Sequence, residues 1–275
     1  MKALLRPLVL ALMGLALLVA TAACGGGDDA GGPDLTADLA PGEILDRSAQ
    51  AMRDARSFRL GFEVTGTAAI GGQVGTLLGD EIDISGEGPV LPPDGISLDV
   101  SVAVSGLPLQ GNLSRSGDVV ALSVLGRDVG IDLDAATLEF LDFGAAYPEL
   151  AGWITDPATT EGDSRDGVGT VDVSGALDPQ RALAGLAPLL GADAGEGSAG
   201  RITGTASVSV GRSDLLARRV EARIQAPAGA LGADSGPADI TIVADLSGYG
   251  AQEPVVLPPL DRRLAPSELG SLLGG

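Results

Sequence analysis

Apolar and polar residues alternate along most of this chain. Phe58, Leu60, Phe62, Val64, Ala68 and Ile70 alternate with Arg59, Glu63, Thr65 and Thr67, the period of two expected of a half-buried strand. The pattern returns in Ile96, Leu98, Val100, Val102 and Val104, in Ile202, Ala206, Val208 and Val210, in Leu216, Val220, Ala222 and Ile224, and in Ile240, Ile242, Ala244 and Leu246. Shorter versions occupy 81–85, 107–113, 119–125, 129–133 and 170–174. Such clean alternation belongs to antiparallel sheets with one wet and one dry face, because parallel strands are covered on both faces. A meandering antiparallel sheet is therefore predicted.

Three stretches break the period. Pro41 sits where a first helical residue would, Glu43 falls in the first turn, and Ile44, Leu45, Ser48, Ala49, Met52 and Ala55 recur at helical spacing, so 42–56 reads as an amphipathic helix. Asp178 caps a second helix that begins at Pro179 and carries Leu183, Leu186, Ala187 and Leu190 on one stripe, with Pro188 shortening or kinking it. Segment 135–153 reads as a short helix and loop. Its Phe140, Phe143, Tyr147 and Trp153 are four of the chain's seven aromatics.

The N-terminus has a different character. Lys2 and Arg6 precede an uncharged, leucine-rich run from Leu8 to Ala23. This is the pattern of a secretory signal segment, shorter than the roughly 20 residues a spanning helix needs. Thr21-Ala22-Ala23-Cys24 resembles the lipobox cut by the lipoprotein signal peptidase, with Thr21 in place of the commoner leucine or valine. A lone cysteine in a secreted chain fits acylation, as with palmitate, at Cys24. The competing reading is an ordinary signal peptide with a free cysteine nearby. Gly25 to Gly42 is rich in glycine, aspartate, alanine and proline and reads as a flexible tether of roughly 25 Å reach. The expected organisation is a signal peptide over 1–23, acylated cysteine and tether over 24–42, a folded domain over 43–258 and a tail over 259–275.

Charge and composition narrow the function. Without residues 1–23 the chain loses two of its 17 basic residues and none of its 37 acids, so the mature charge is 15 − 37 = −22. Such a surface repels nucleic-acid phosphate, and no nucleic-acid partner is expected. The mature chain has neither histidine nor lysine, and Cys24 is used by the anchor. That removes the usual Ser-His and Cys-His nucleophiles, Schiff-base lysines and common zinc or iron ligand sets. Glu161, Asp163 and Asp166 miss the spacing of a calcium loop and read as a solvated turn. Gly195, Gly197 and Gly200 match a phosphate-loop pattern but precede a strand, so they read as a loop. No catalytic residue, metal site or cofactor is expected, and the chain reads as a non-enzyme.

One helix, a long alternating sheet, then Trp153-Ile154-Thr155-Asp156-Pro157, Asp166-Gly167-Val168, Val173-Ser174-Gly175, Arg218-Arg219-Val220 and Asp239 to Gly250 resemble, in that order, the LppX/LprAFG lipoprotein family. The likeness covers roughly residues 43–258. Val171, where relatives often show an aromatic or histidine, and the absence of tryptophan from 208–214 depart from it. The resemblance implies an α+β, LolA-like fold, a curved antiparallel half-barrel with a few helices on its concave face around an apolar cavity for acyl chains of envelope lipids. It implies a lipoprotein anchored to the extracytoplasmic face of the cell membrane, carrying a lipid or glycolipid, with an envelope lipid transporter as a further partner. Phe62, Val102, Leu122 and Ile242 are expected to line the cavity, and Phe140, Phe143, Tyr147 and Trp153 to gate its mouth or plug one end of the core. The alternative is a non-transporting envelope lipoprotein that acts as a structural or adaptor module for protein partners.

Overall fold

The computed structural model describes residues 32–68, 81–93, 95–104, 107–131, 143–182, 201–230 and 236–264. They form one sheet of 12 strands, antiparallel except where its last strand joins, open at both ends, with helices on one face. The strands are β1 (Phe58–Ala68), β2 (Glu81–Leu91), β3 (Gly95–Val104), β4 (Leu107–Ser116), β5 (Val119–Val124), β6 (Arg127–Ile131), β7 (Ile154–Arg165), β8 (Val168–Leu177), β9 (Thr203–Gly211), β10 (Ala217–Ala226), β11 (Ala238–Ser247) and β12 (Arg262–Leu264). The helices are α1 (Pro41–Asp54) and α2 (Phe143–Ala151).

The sheet joins two meanders. Its order is β12-β6-β5-β4-β3-β2-β1-β11-β10-β9-β8-β7, so β1 to β6 step outward one way and β7 to β11 step back until β11 pairs with β1 along ten residues. The chain alternation becomes face separation through the register, because directly opposed residues share a face. One row runs Leu246, Leu60, Gly88, with Leu98, Leu113, Leu122 and Val129 continuing it, and the next runs Ala244, Phe62, Gly86, Val100, Gly111 and Val124. A third runs Ile242, Val64, Ile84, Val102 and Leu109. The opposite face carries Glu63, Ser85, Ser101 and Gln110 on the corresponding rows.

Helix α1 forms where its sequence predicts. Pro41 lies in its first turn, and Ile44, Leu45, Ser48, Ala49 and Met52 are its buried stripe. It ends at Asp54, two residues short of the predicted boundary, where Ala55 adopts an extended conformation. Its stripe packs on α2 and covers the sheet near β7 and β8, and Val173, Val208 and Val210 are at most 1% exposed. Asp178 caps the predicted second helix, its carboxylate accepting from the backbone N–H groups of Gln180 and Arg181 at 2.9 and 3.1 Å. Leu183, Leu186, Leu190 and the glycine motif lie outside the described residues.

Two strands escape the alternation rule. β7 is the terminal strand of the sheet, and beyond Ile154 its side chains are half-buried or exposed, so no dry face is written into its sequence. Glu161 and Asp163 belong to this strand, and Asp166-Gly167, both at positive φ, make the turn into β8. β12 lies in the expected tail and is the one parallel strand, pairing Arg262, Arg263 and Leu264 with Val129, Gly130 and Ile131. The predicted tether is also partly folded. Leu35 donates its N–H to the Arg212 carbonyl at 2.7 Å, Arg212 holds Asp34 at 2.8 Å, and Thr36 is buried. The Thr36 hydroxyl bonded to Asp34, with Arg212 beside it, lowers the carboxyl pKa below the ordinary value.

Candidate functional site

The apolar face divides into a sealed part and a half-open part. Beneath α1, Phe58, Leu60, Leu246 and the valines of β8 and β9 are buried. Farther along the same rows, Phe62, Val64, Ile84, Val100, Ile240 and Ile242 are only half-buried, although all pack against the core. Val102, Leu109, Leu113 and Leu122 continue this state across β3, β4 and β5. The result is a continuous half-buried apolar band across six strands. The row through Gly86 and Gly111 is short of bulk, and the Phe62 ring fills part of the gap. A Cβ on Gly86 would lie 2.6 Å from that ring.

The residues expected to line a cavity separate into groups. Phe62, Val102, Leu122 and Ile242 all lie on the band, two on neighbouring strands and two farther along it. Tyr147 and Trp153 lie in the sealed core at 0% and 6% exposure. Tyr147 sits on α2 and its hydroxyl is 2.8 Å from that of Ser48 on α1, while burial pushes the phenol pKa well above its ordinary value. In this conformation both serve as packing that joins the helices to the sheet. Phe143 opens α2, and Phe140 lies outside the described residues.

A recess of about 770 Å³ opens on the other face. Its lining includes Glu63, Glu87, Asp99 and Asp245, the hydroxyls of Ser85 and Ser101, and Arg219, whose guanidinium is held by Asp245 at 2.9 Å. Phe62 is the one predicted lining residue it reaches. Val100 and Val243 also line it, but its carboxylates, hydroxyls and guanidinium suit water and polar groups, and an alkyl chain placed there would strand them without solvent. The surface suited to alkyl chains is the band.

Sequence reasoning missed one group. Arg218 is 5% exposed, its guanidinium lies 4.7 Å from the centre of the Tyr249 ring, and it forms an ion pair with Asp214. Tyr249 in turn stacks obliquely on Phe58, with ring centres 5.7 Å apart, and donates its hydroxyl to the Ala217 carbonyl. Arg218 keeps the inward parity of Val220 and Ala222, and the bulge between Ala217 and Arg219 pairs Ala217 with Val210 beside it. The available signal was a charge two residues before Val220, on the inward parity of β10.

No family model matches the sequence, and no curated protein does. The fold can be compared with solved structures. LprF from Mycobacterium bovis is 18% identical over 80% of this chain and 96% of its own, with a TM-score of 0.47. LppX from Mycobacterium tuberculosis is 16% identical over 81% of this chain and 100% of its own, with a TM-score of 0.47. A LolA superfamily protein from Nitrosomonas europaea is 13% identical over 80% of this chain and 96% of its own, with a TM-score of 0.23. The chain is thus similar in structure to LprF and LppX of the LppX/LprAFG lipoproteins and to a LolA superfamily protein.

Proposed function

We propose that this chain is an extracytoplasmic lipoprotein, held to the cell membrane through Cys24, that binds the acyl chains of an envelope lipid or glycolipid against its apolar face and carries them. The observation that carries the reading is the half-buried band. A sheet whose rows are filled with Val, Ile, Leu and Phe gains by covering them, at about 25 cal/mol per Å² of apolar surface removed from water. This band stays half-covered, whereas the part of the face beneath α1 is buried.

An acyl chain has the complementary need. At about 0.8 kcal/mol per methylene, a single 16-carbon chain costs on the order of 12 kcal/mol in water unless it is enclosed. Laid on the band, it removes from water both its own surface and that of residues such as Phe62 and Ile242. The anchor lets such a carrier work at the membrane, because the two or more acyl chains of a lipoprotein cysteine hold stably where one does not.

The test is native mass spectrometry of the full chain purified from its own membranes. Bound lipid in stoichiometric amount, and an apolar-extraction step that lowers the melting temperature, are expected. Absence of lipid together with identical melting before and after extraction refutes the carrier reading and favours an adaptor module. Cys24→Ser, labelled with palmitate in the same cells, should lose the label and the membrane association. Anchoring that persists without label refutes acylation as the anchor.

A further inference from the structure

We infer that Arg218 is a binding site for the phosphate headgroup of the lipid, which makes anionic phospholipids or alkyl phosphates the preferred ligand class. The inference rests on the acyl-chain reading and adds the chemistry of the head. Among the described residues, the charged side chains that are buried are Arg115 and Arg218. The chain as a whole carries 37 acids against 17 bases, yet among the described residues no buried side chain is a carboxylate. Arg115 sits across from Ile96 and Val120 on the apolar face and donates Nε–H to the Gly117 carbonyl at 2.8 Å.

Arg218 is the better placed of the two. Its Nη2 is used by Asp214, but Nε and Nη1 are buried with no hydrogen-bond partner among the described residues. Buried guanidinium donors without acceptors are expensive, and a well-packed apolar residue in their place is often neutral or stabilising. An anion that supplies acceptor oxygens removes that cost, and guanidinium is the side chain best matched to phosphate. Position supports the same occupant. Residue 218 precedes Val220 and Ala222, both half-buried, so a lipid whose head meets Arg218 can run its chain along β10 and β11 onto Ile242 and Ile240. Asp214 is one-third exposed and marks the side from which a head arrives. It also competes with that head for the guanidinium.

Competition for occupancy separates the alternatives. The full chain is incubated with equimolar dodecyl phosphate and dodecanol, and in a separate sample with inorganic phosphate, then read by native mass spectrometry. The wild type should carry the alkyl phosphate over the alcohol by about tenfold, Arg218→Gln should bring the two near parity while still binding dodecanol, and Asp214→Asn should raise the preference several-fold. Parity in the wild type, or a preference that survives Arg218→Gln, overturns the headgroup site and leaves the acyl-chain reading standing. Inorganic phosphate bound as well as the alkyl phosphate makes Arg218 a free-anion site and overturns its lipid role. Binding of neither alkyl compound overturns the acyl-chain reading itself.

Discussion

Tyr147→Phe tests how the helices are held on the sheet. The Tyr147 hydroxyl and the Ser48 hydroxyl lie 2.8 Å apart, and both side chains are fully buried. Removing the phenolic oxygen leaves the Ser48 hydroxyl without this partner in a dry interface between α1 and α2. An orphaned buried hydroxyl costs about 1–3 kcal/mol, and Ser48 recovers part of that by turning toward a carbonyl one helical turn back. A loss of about 1.5 kcal/mol is therefore expected, or about 3–6 °C in melting temperature for a domain of this size. Ser48→Ala should cost less than Tyr147→Phe, because alanine favours the helix by about 0.5 kcal/mol while the phenol loses its partner. The double variant should be little worse than either single one, a coupling of about 1 kcal/mol. Urea unfolding followed by the emission of Trp153, the sole tryptophan and itself buried, reads this region directly. Additive losses with no coupling refute the contact and with it the docking of α1 on α2.

Three further outcomes follow from the same geometry. Val208→Asp, at 1% exposure under the helices, should destabilise by several kcal/mol in chemical unfolding, Val102→Asp and Ile242→Asp by less because water reaches the half-buried band, and Ser101→Asp on the polar face by under about 0.5 kcal/mol. Equal costs at 102, 208 and 101 contradict the face assignment. Gly86→Ala should displace the Phe62 ring, since its Cβ would lie 2.6 Å from that ring and 3.0 Å from the Asp99 carbonyl, and lower stability by about 1–3 kcal/mol, with a Phe62→Ala partner variant recovering the ring's share of the loss. No recovery in the double variant places the strain in the backbone alone. Asp239, hydrogen bonded by Arg223 and then Gln225, has its pKa depressed to about 2, so its folded value lies below its unfolded one. Its contribution is present above about pH 4 and is lost as the pH falls toward 2, and an NMR titration midpoint near 4 contradicts the pairing.

The strands with one buried face were legible because the register preserves their alternation. Phe62, Val102 and Ile242 were placed on one face by parity, and the structure puts them there through neighbouring pairings. α1 was legible from the spacing of Ile44, Leu45, Ser48, Ala49 and Met52. β7 was not, since a terminal strand with little to bury leaves no periodic trace beyond Ile154. The joining of two meanders through β1 and β11 was also hidden, because residues 58–68 and 238–247 find each other over a distance in sequence that no local pattern encodes. Folding of Asp34 to Leu39 was missed for a related reason. Composition reports what a segment can bury, whereas this one is held by Arg212 and by backbone hydrogen bonds. For the candidate site, parity gave the face of each strand residue but no measure of how far it is covered, so Tyr147 and Trp153 were grouped with residues that are far more open.

Crosslinking with a diazirine-bearing fatty acid tests the central claim most directly, because the reactive carbon marks the residues the chain touches. With the full chain at its own membrane, adducts mapped by peptide mass spectrometry should fall on Phe62, Val102, Leu122 and Ile242, with unlabelled palmitate competing. Adducts confined to the polar recess around Glu63, Ser101 and Asp245, or none that palmitate displaces, contradict acyl-chain binding on the apolar face.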